Sequence, residues 1–189
     1  MGGYNPGPGF QAGSPFDQLR GNRRHKGVDF PAAQGTVIPC AADGVVVGRG
    51  NHSEFGNAAI VKHSDPSSTN DIYTLYAHQP DLDNIPAIGT QVAKGAKIGT
   101  VGSTGRSSGP HLHMELISLP PGTWWTVANP WQGGATGITG STGRIDPLNG
   151  DNWGGLSVYG GGTTVSSLEQ PGKAGTEICM MGCDGISVV

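Results

Sequence analysis

The residues with the clearest chemical potential are two histidines, His111 and His113, one residue apart in a stretch with β-strand character. Side chains alternate between the two faces of a strand, so both imidazoles and the carboxylate of Glu115 are expected on one face. The opposite face would point toward the core with three apolar side chains, Leu112, Met114 and Leu116. Because zinc accepts neutral histidine and carboxylate ligands, this strand offers half of a metal site.

A second candidate pair, His25 and Asp29, stands early in the chain. The even spacing returns both side chains to one face of an extended segment. The intervening Lys26-Gly27 also allows a local bend that would bring both to one ion. Taken alone, a histidine and an aspartate at this spacing are a common accident, so the pair needs partners before it indicates a metal site.

Among the remaining histidines, His78 has the most suggestive position. It ends an aromatic-rich strand, predicted over residues 72–78, immediately before a Gln-Pro turn. A strand end beside a loop is where a catalytic side chain can project into a groove. His63, at the polar end of the preceding strand, is expected to be a solvated or hydrogen-bonded surface residue. His52 lies in a turn and is expected to have no functional role.

The composition predicts an all-β protein. The 189 residues include 34 glycines and 14 prolines, and only 13% of them are charged. Such a chain is typical of short strands joined by turns, and its length suits one good-sized core. We therefore expect a compact, mostly antiparallel β-sheet or small barrel-like sandwich with a substrate groove and Gly-rich extensions at both ends. The Asp43-Gly44 pair between apolar runs predicts a β-hairpin.

Changes in composition divide the chain into three segments. Residues 1–15, rich in Gly, Pro, Asn and Ser, are expected to form a flexible arm that adds nothing to the core. Residues 16–131 would form the domain. Residues 132–189, with many Gly, Ser and Thr and a few apolar anchors such as Trp153, would form a loosely structured extension that wraps the domain or belongs to a partner interface.

The three cysteines, Cys40, Cys179 and Cys183, give neither a disulfide framework nor a CxxC pair for zinc. Cys40 lies in an apolar run and is expected to be a small buried residue. Pairing of Cys179 with Cys183 across their turn is left open, as is the role of the whole C-terminal extension.

Charge and hydropathy exclude several kinds of partner. The formal net charge of −3 gives no sign of the basic patch that nucleic acid or an anionic membrane surface would need. No run of about 18 apolar residues is present, so membrane insertion is not expected. The beginning of the chain lacks the basic and apolar regions of a signal peptide. We expect either a fragment or export by a route that does not read such a signal.

Three motifs together resemble the signatures of the lysostaphin-like (LytM-type) zinc endopeptidases, which cut peptidoglycan cross-bridges. They are His25-Lys26-Gly27-Val28-Asp29, Thr74-Leu75-Tyr76-Ala77-His78 and Gly109-Pro110-His111-Leu112-His113. The resemblance covers roughly residues 16–131 in the family's order, and its further matches include Ala42-Asp43-Gly44, Phe55-Gly56-Asn57 and Ser103-Thr104-Gly105. A chance match of this length is negligible.

The resemblance implies that His25, Asp29 and His113 hold one zinc ion (Zn2+) and leave a fourth position for water. It also implies that His111 and His78 are two catalytic histidines outside the ligand set. We expect His111 to be the main general base, because an imidazole that titrates near neutrality can take a proton from water and pass it to the leaving amine. His78 would assist it or stabilise the developing oxyanion.

Two features at the edge of this set are left open. Glu115 shares the strand face of the histidines and either orients a ligand imidazole or stays solvated. Members of the family often carry a tyrosine shortly before the first ligand that helps to stabilise the tetrahedral intermediate. Here no tyrosine lies between Tyr4 and His25, so the partner of the oxyanion is not identified.

The expected function is hydrolysis of a peptide bond in the stem peptides or cross-bridges of bacterial peptidoglycan, in the periplasm or wall of the cell envelope. The missing signal and the Gly-rich flanks suggest a phage lysin or virion component, or an antibacterial effector. Such origins would add an immunity protein, or a component of the virion or secretion apparatus, as partner. Two alternatives stay open: a catalytically inactive LytM-like module that binds peptidoglycan or a partner protein, and a zinc protease directed at proteins.

Overall fold

The computed structural model describes residues 2–122 and 143–160. These residues form β-strands and one 3-10 helical turn at Gly150–Trp153, with no α-helix among them. The strands are β1 (Leu19–Arg20), β2 (Arg23–Arg24), β3 (Val28–Pro31), β4 (Val37–Pro39), β5 (Gly44–His52), β6 (Gly56–His63), β7 (Asp71–Gln79), β8 (Gln91–Val92), β9 (Lys97–Thr100), β10 (His111–Leu119) and β11 (Arg144–Ile145). No helix within the described ranges is long and apolar enough to cross a membrane.

The main sheet has 7 strands in the order β11-β10-β7-β6-β5-β8, with β3 also paired to β10. All of its strand pairs are antiparallel. Two small antiparallel pairs, β1 with β2 and β4 with β9, accompany it. This architecture confirms the predicted all-β, mostly antiparallel fold.

Strand β10 is the element on which the others converge. One edge pairs with β7 over residues 113–119, and the other edge pairs first with β3 and then with β11. Its side chains alternate as the sequence predicts: His113 and Glu115 lie on one face, and the opposite face packs into the main core. That core contains the fully buried residues Leu112, Met114, Leu116, Ile38, Cys40, Val46, Tyr76 and Ile98.

The N-terminal segment is not the flexible arm that its composition predicts. Tyr4 is buried in the main core, and its hydroxyl donates a hydrogen bond to the carbonyl of Pro39 over 2.8 Å. The backbone N–H of Tyr4 donates to the carbonyl of Pro147 over 2.9 Å. One aromatic ring buries enough apolar area to hold a Gly-rich segment, which a count of Gly and Pro residues does not reveal. The domain boundaries at residues 15 and 131 stay predictions.

Residues 143–160, from the predicted C-terminal extension, also pack on the domain. Strand β11 pairs with β10 at the edge of the sheet. Trp153 is only 1% exposed in the main core, and its Nε1–H donates to the carbonyl of Pro147 over 2.9 Å. This part of the extension therefore wraps the domain, whereas Cys179 and Cys183 lie outside the described residues.

The predicted hairpin at Asp43-Gly44 is wrong. The strands on either side belong to different sheets, since β4 pairs with β9 while β5 pairs with β6 and β8. Glycine is needed here for a close approach, because a Cβ at Gly44 would lie 2.4 Å from the carbonyl oxygen of Lys62. The side chain of Asp43 fixes the entry to β5 by accepting a hydrogen bond from the N–H of Lys94 over 2.7 Å.

His63 is buried rather than on the surface, with 1% of its area exposed. Its Nδ1–H donates to the carbonyl of Asp43 over 2.9 Å, and its Nε2 forms a hydrogen bond with the hydroxyl of Thr74 over 2.8 Å. Burial lowers the pKa of His63 to about 4, although the hydrogen bond to Asp43 opposes this effect. His63 is therefore a neutral residue of the core at neutral pH.

The neutral burial of His63 makes the free energy of unfolding depend on pH. The unfolded chain takes up a proton on this imidazole below about pH 6.5, whereas the folded chain resists it down to about pH 4. The contribution of His63 to stability is therefore complete above pH 6.5 and is lost as the pH falls toward 4, by about 3 kcal/mol in total. Urea unfolding between about pH 7 and about pH 4 should show a shallower loss for His63→Gln than for the parent chain. Parallel losses in the two proteins would contradict this assignment.

Candidate metal centre

Three buried side chains, those of His25, Asp29 and His113, converge on one point. Nε2 of His25 lies 3.1 Å from Oδ1 of Asp29 and 3.1 Å from Nδ1 of His113. That Nδ1 lies 2.8 Å from the same carboxylate oxygen. Among the described residues no other group of three or more His, Cys, Asp or Glu side chains meets in this way. These are the three residues that the family resemblance implies as metal ligands.

The donor set fits a divalent metal ion. The carbonyl of Pro15 accepts the Nδ1–H of His25 over 2.8 Å, and Nε2 of His113 lies 3.2 Å from Oε1 of Glu115. With these two protons directed outward, Nε2 of His25 and Nδ1 of His113 both turn toward the carboxylate of Asp29, so in their unprotonated state both nitrogens offer a lone pair to a cation that binds there. Ligands about 2.1 Å from a tetrahedral zinc ion lie roughly 3.4 Å apart, so the observed separations of 2.8 to 3.1 Å would have to expand by a few tenths of an ångström.

Strand register brings the ligands together. Strand β3 pairs with β10 so that Asp29 stands directly opposite His113, which places their side chains side by side on one face. His25 precedes β3 and turns its ring back toward Asp29. Gly27 permits the close approach of this turn to β10, since a Cβ there would lie 2.3 Å from the carbonyl oxygen of Met114.

Glu115 connects His113 to the C-terminal segment. Its fully buried carboxylate uses Oε1 for His113 and accepts a hydrogen bond at Oε2 from Nε–H of Arg144 over 2.7 Å. Arg144 lies on β11 and its side chain is only 1% exposed. The sequence left two alternatives for Glu115, namely a contact with a ligand imidazole or a solvated carboxylate. The structure shows the contact, with the imidazole of His113.

Opposite charges control the protonation of the buried groups. Burial favours the neutral form of Asp29, but the hydrogen bonds from His113, His25 and Arg20 outweigh it and hold the pKa of this carboxyl well below its usual range. Burial likewise opposes a charge on His113, yet the hydrogen bonds and charges of Asp29 and Glu115 raise its pKa to about 9. A metal ion that binds at Nδ1 of His113 therefore displaces a proton.

Two further histidines lie beside the converging side chains. The ring centroids of His78 and His111 are 4.7 Å apart, and Nε2 of His111 is 3.6 Å from Oδ1 of Asp29. Each ring donates its Nδ1–H to a loop carbonyl over 2.8 Å, His78 to Thr104 and His111 to Gly109. In the neutral ring the remaining Nε2 is a proton acceptor. The structure thus brings all five histidine and aspartate residues of the predicted site into one cluster.

His78 has an unusual backbone conformation. Its φ of 62° is in the left-handed region, which residues other than glycine rarely adopt. Its N–H donates to the carbonyl of Phe55 over 2.8 Å, and its own carbonyl accepts a hydrogen bond from the N–H of Thr104 over 3.3 Å. Burial, and then the neighbouring charge of His113, lower the pKa of His78 to about 4. The surrounding loops therefore hold a neutral imidazole in a strained position, a feature common at functional sites.

A groove runs over these side chains in two adjoining parts. One part, of about 740 Å³, is lined by His78, His111, His113 and the segment 12–15. The other part, of about 760 Å³, lies over β1 and β2 and reaches His25 and Glu115. The two parts meet at a boundary whose residues line both, namely Arg20, Glu54, Phe55, Arg106 and His113.

Sequence reasoning missed three contributors to this centre. Pro15 fixes a candidate ligand imidazole through its carbonyl, Arg20 donates to Oδ2 of Asp29, and Arg144 neutralises the charge of Glu115. No motif or spacing marks any of them: Pro15 and Arg20 reach residues 10 and 9 positions along the chain through loop geometry, and Arg144 reaches Glu115 across 29 positions. The only sequence signal near Arg20 is the cluster of basic residues between positions 20 and 26.

Solved structures share the fold. A variant of the catalytic domain of the prophage-encoded M23 protein EnpA from Enterococcus faecalis superposes with a TM-score of 0.58, at 27% identity, over 81% of this chain and 98% of that one. The catalytic domain of the antimicrobial peptidase lysostaphin from Staphylococcus simulans gives a TM-score of 0.52 at 24% identity, over 77% of this chain and 90% of that one. The second likeness is one of fold alone.

Two curated relatives each match about half of the chain. The DD-carboxypeptidase/endopeptidase Mpg of Neisseria meningitidis serogroup B is 44% identical over 93 residues, which are 49% of this chain and 20% of that protein. The peptidoglycan DD-endopeptidase ShyA of Vibrio cholerae is 40% identical over 93 residues, with the same coverage. The chain thus spans about a fifth of the length of these relatives.

The sequence profile of Peptidase family M23 matches residues 23–122. This range is more than half of the 189 residues and includes all five residues of the cluster. The profile, the relatives and the shared fold agree with the resemblance drawn from the three motifs. The chain belongs to Peptidase family M23.

Proposed function

We propose that this chain is a zinc-dependent endopeptidase that cuts peptide bonds in the stem peptides or cross-bridges of bacterial peptidoglycan. The observation that carries the proposal is the cluster at the groove floor, in which His25, Asp29 and His113 converge while His78 and His111 present proton-accepting nitrogens beside them. Membership of Peptidase family M23 supports the reaction type.

Three residues would hold the metal, with Nε2 of His25, Oδ1 of Asp29 and Nδ1 of His113 as the ligand atoms for one zinc ion. Bound there, zinc would polarise a carbonyl group and would lower the pKa of a water molecule toward neutrality. The buried hydrogen bonds to Pro15 and Glu115 fix which ring nitrogen of each histidine faces the ion.

His111 serves as the main general base. Its Nδ1–H is committed to the carbonyl of Gly109, so its Nε2 is free to accept a proton next to the ligand oxygen of Asp29. The same nitrogen then donates that proton to the leaving amine of the cleaved peptide bond, as general acid–base catalysis requires. Its place at the groove surface, 14% exposed, keeps it within reach of a bound peptide.

His78 assists proton transfer in this proposal and does not stabilise the oxyanion. Its single proton is on Nδ1 and is committed to the carbonyl of Thr104, and its low pKa of about 4 keeps the ring neutral. A neutral ring in this tautomer offers Nε2 as an acceptor and has no N–H left for an oxyanion. Because the two rings are in contact, His78 can orient the ring of His111 or accept a proton from it.

The names of the relatives support a peptidoglycan substrate. Mpg is a DD-carboxypeptidase/endopeptidase and ShyA a peptidoglycan DD-endopeptidase. We extend the substrate class, and with it action in the cell envelope, to this chain. A phage origin gains support from the prophage-encoded structural neighbour EnpA, while the antibacterial role and the immunity or virion partners stay predictions.

Separate substitutions distinguish the metal-binding role from the proton-transfer role. His113→Ala should abolish zinc binding and activity together, whereas His111→Ala should keep one zinc ion per chain and lower kcat by about 10²–10⁴-fold. Zinc content by plasma mass spectrometry, and fragments released from directly cross-linked and pentaglycine-bridged peptidoglycan, measure the two effects. His52→Gln, at a histidine outside the groove lining, is the matched control. Undiminished activity of His111→Ala would refute its role, and zinc binding without turnover by the parent chain would indicate the inactive binding module.

The contact from Glu115 to His113 predicts a second effect on the metal. Glu115→Gln should weaken zinc binding by about 10–100-fold, because His113 loses the carboxylate that orients its ring. Arg144→Met should destabilise the fold by about 3–5 kcal/mol, because it leaves a buried carboxylate without its cation. The double variant should recover part of that stability. Chelator competition measures the zinc affinity and urea unfolding the stability; an unchanged zinc affinity in Glu115→Gln would contradict the positioning role.

A further inference from the structure

The part of the groove over β1 and β2 is rich in lysine and arginine side chains, although the whole chain has a formal net charge of −3. Among its lining residues are five of the 11 lysines and arginines of the chain, namely Arg20, Arg23, Arg24, Lys26 and Arg106. The carboxylates in the same lining are those of Glu54 and Glu115. Net charge says nothing about distribution, so composition could not reveal this concentration of cations beside the candidate metal centre.

Three of the arginines already have acidic partners. Arg20 pairs with Asp29. Arg23 pairs with Glu54 over 3.1 Å, and Arg24 pairs with the side chain of Asp17 over 2.8 Å. Because these charges are largely balanced, they make the surroundings of the groove polar without offering a free cation to a ligand.

Arg106 differs from them. Its guanidinium forms no hydrogen bond or ion pair with any other residue in the described part of the chain, and it lines both parts of the groove where they meet. The carboxylate of Glu115 is not available to it, since Arg144 and His113 occupy both oxygens. Among the described arginines that line the groove, Arg106 is therefore the one whose exposed guanidinium has no acidic partner.

The backbone that carries Arg106 is fixed. Its N–H donates to the carbonyl of Glu54 over 2.9 Å. The preceding Gly105 has a φ of 70°, and a Cβ there would lie 2.2 Å from the backbone nitrogen of Gly56, so the loop packs directly on the turn before β6. The carbonyl of Thr104 in the same loop holds the ring of His78. The side chain of Arg106 thus starts from a defined place next to the reacting groups.

We propose that the basic part of the groove binds a free carboxylate of the stem peptide close to the scissile bond, with Arg106 as its direct contact. A guanidinium donates two parallel N–H bonds to a carboxylate, a geometry that few other ligands match. One free guanidinium among paired neighbours suits a single carboxylate rather than a polyanion, which would need a row of free cations. This inference rests on the proposed peptidase function and narrows its substrates to anionic stem peptides over neutral oligoglycine bridges.

A pair of synthetic cross-linked stem peptides tests the inference. The two peptides are identical except that the carboxylate next to the scissile bond is a carboxamide in one of them. The zinc-loaded full chain should cut the carboxylate peptide with a kcat/KM about tenfold higher, the effect of one charge-assisted hydrogen-bonded pair. In Arg106→Gln the kcat/KM for the carboxylate peptide should be only about 1 to 2 times that for the carboxamide peptide. Arg106→Lys should retain part of the preference for the carboxylate peptide. The difference in kcat/KM between the two peptides should also become smaller at high salt, because salt screens the charge of the guanidinium.

Arg49→Gln is the matched control, because Arg49 also has no partner among the described residues but lies on β5 outside both parts of the groove. It should keep the preference of the parent chain. Equal cutting of both peptides by the parent chain, or a tenfold preference that survives in Arg106→Gln, would overturn the inference while leaving the hydrolase intact. Tighter binding of the carboxylate peptide by calorimetry, lost in Arg106→Gln and without hydrolysis of either peptide, would support the inference and overturn the proposed function. Neither hydrolysis nor a binding difference would overturn both.

Discussion

The pairing of β3 with β10 is the constraint on which the rest of the site depends. It places Asp29 directly opposite His113, and the period of two along β10 then sets Glu115 beside His113 and the apolar side chains in the core. A shift of one residue in either strand would turn these polar side chains into the core. Gly27 protects the register, because only glycine lets the turn after His25 approach the backbone of β10. The fold and the candidate metal centre are therefore specified by the same contacts.

Burial of so many charged groups is tolerated because each has a partner. Asp29 is surrounded by histidine nitrogens and Arg20, and Glu115 is held between His113 and Arg144. An unpaired charge at either place would cost several kcal/mol. Arg144 lies after the region that the family profile covers, at 23–122. The chain beyond the region of the three motifs thus completes the electrostatics of the candidate metal centre, and its role is more than that of a tail.

Sequence reasoning went furthest where the information is local. The strand parity of His111, His113 and Glu115 follows from a period of two, and the chain's Gly-rich, weakly charged composition indicates an all-β fold. It failed where the answer depends on what a residue meets far along the chain. The sequence predicts a surface position for His63, whereas Trp153 and Thr74 contact its buried ring. It also predicts a hairpin at Asp43-Gly44, whereas the flanking strands join different sheets. Likewise, a net charge cannot show that cations gather in one groove.

X-ray absorption at the zinc edge of the zinc-loaded chain tests most directly whether His25, Asp29 and His113 hold the metal. We expect one ion per chain with two imidazoles and oxygen ligands at about 2.0–2.2 Å and no sulfur shell near 2.3 Å. In His25→Ala the imidazole signal should fall by half if zinc still binds, and it should be lost together with the zinc if the ion no longer binds. A sulfur ligand, a spectrum unchanged by that substitution, or no zinc bound at all would contradict the assignment.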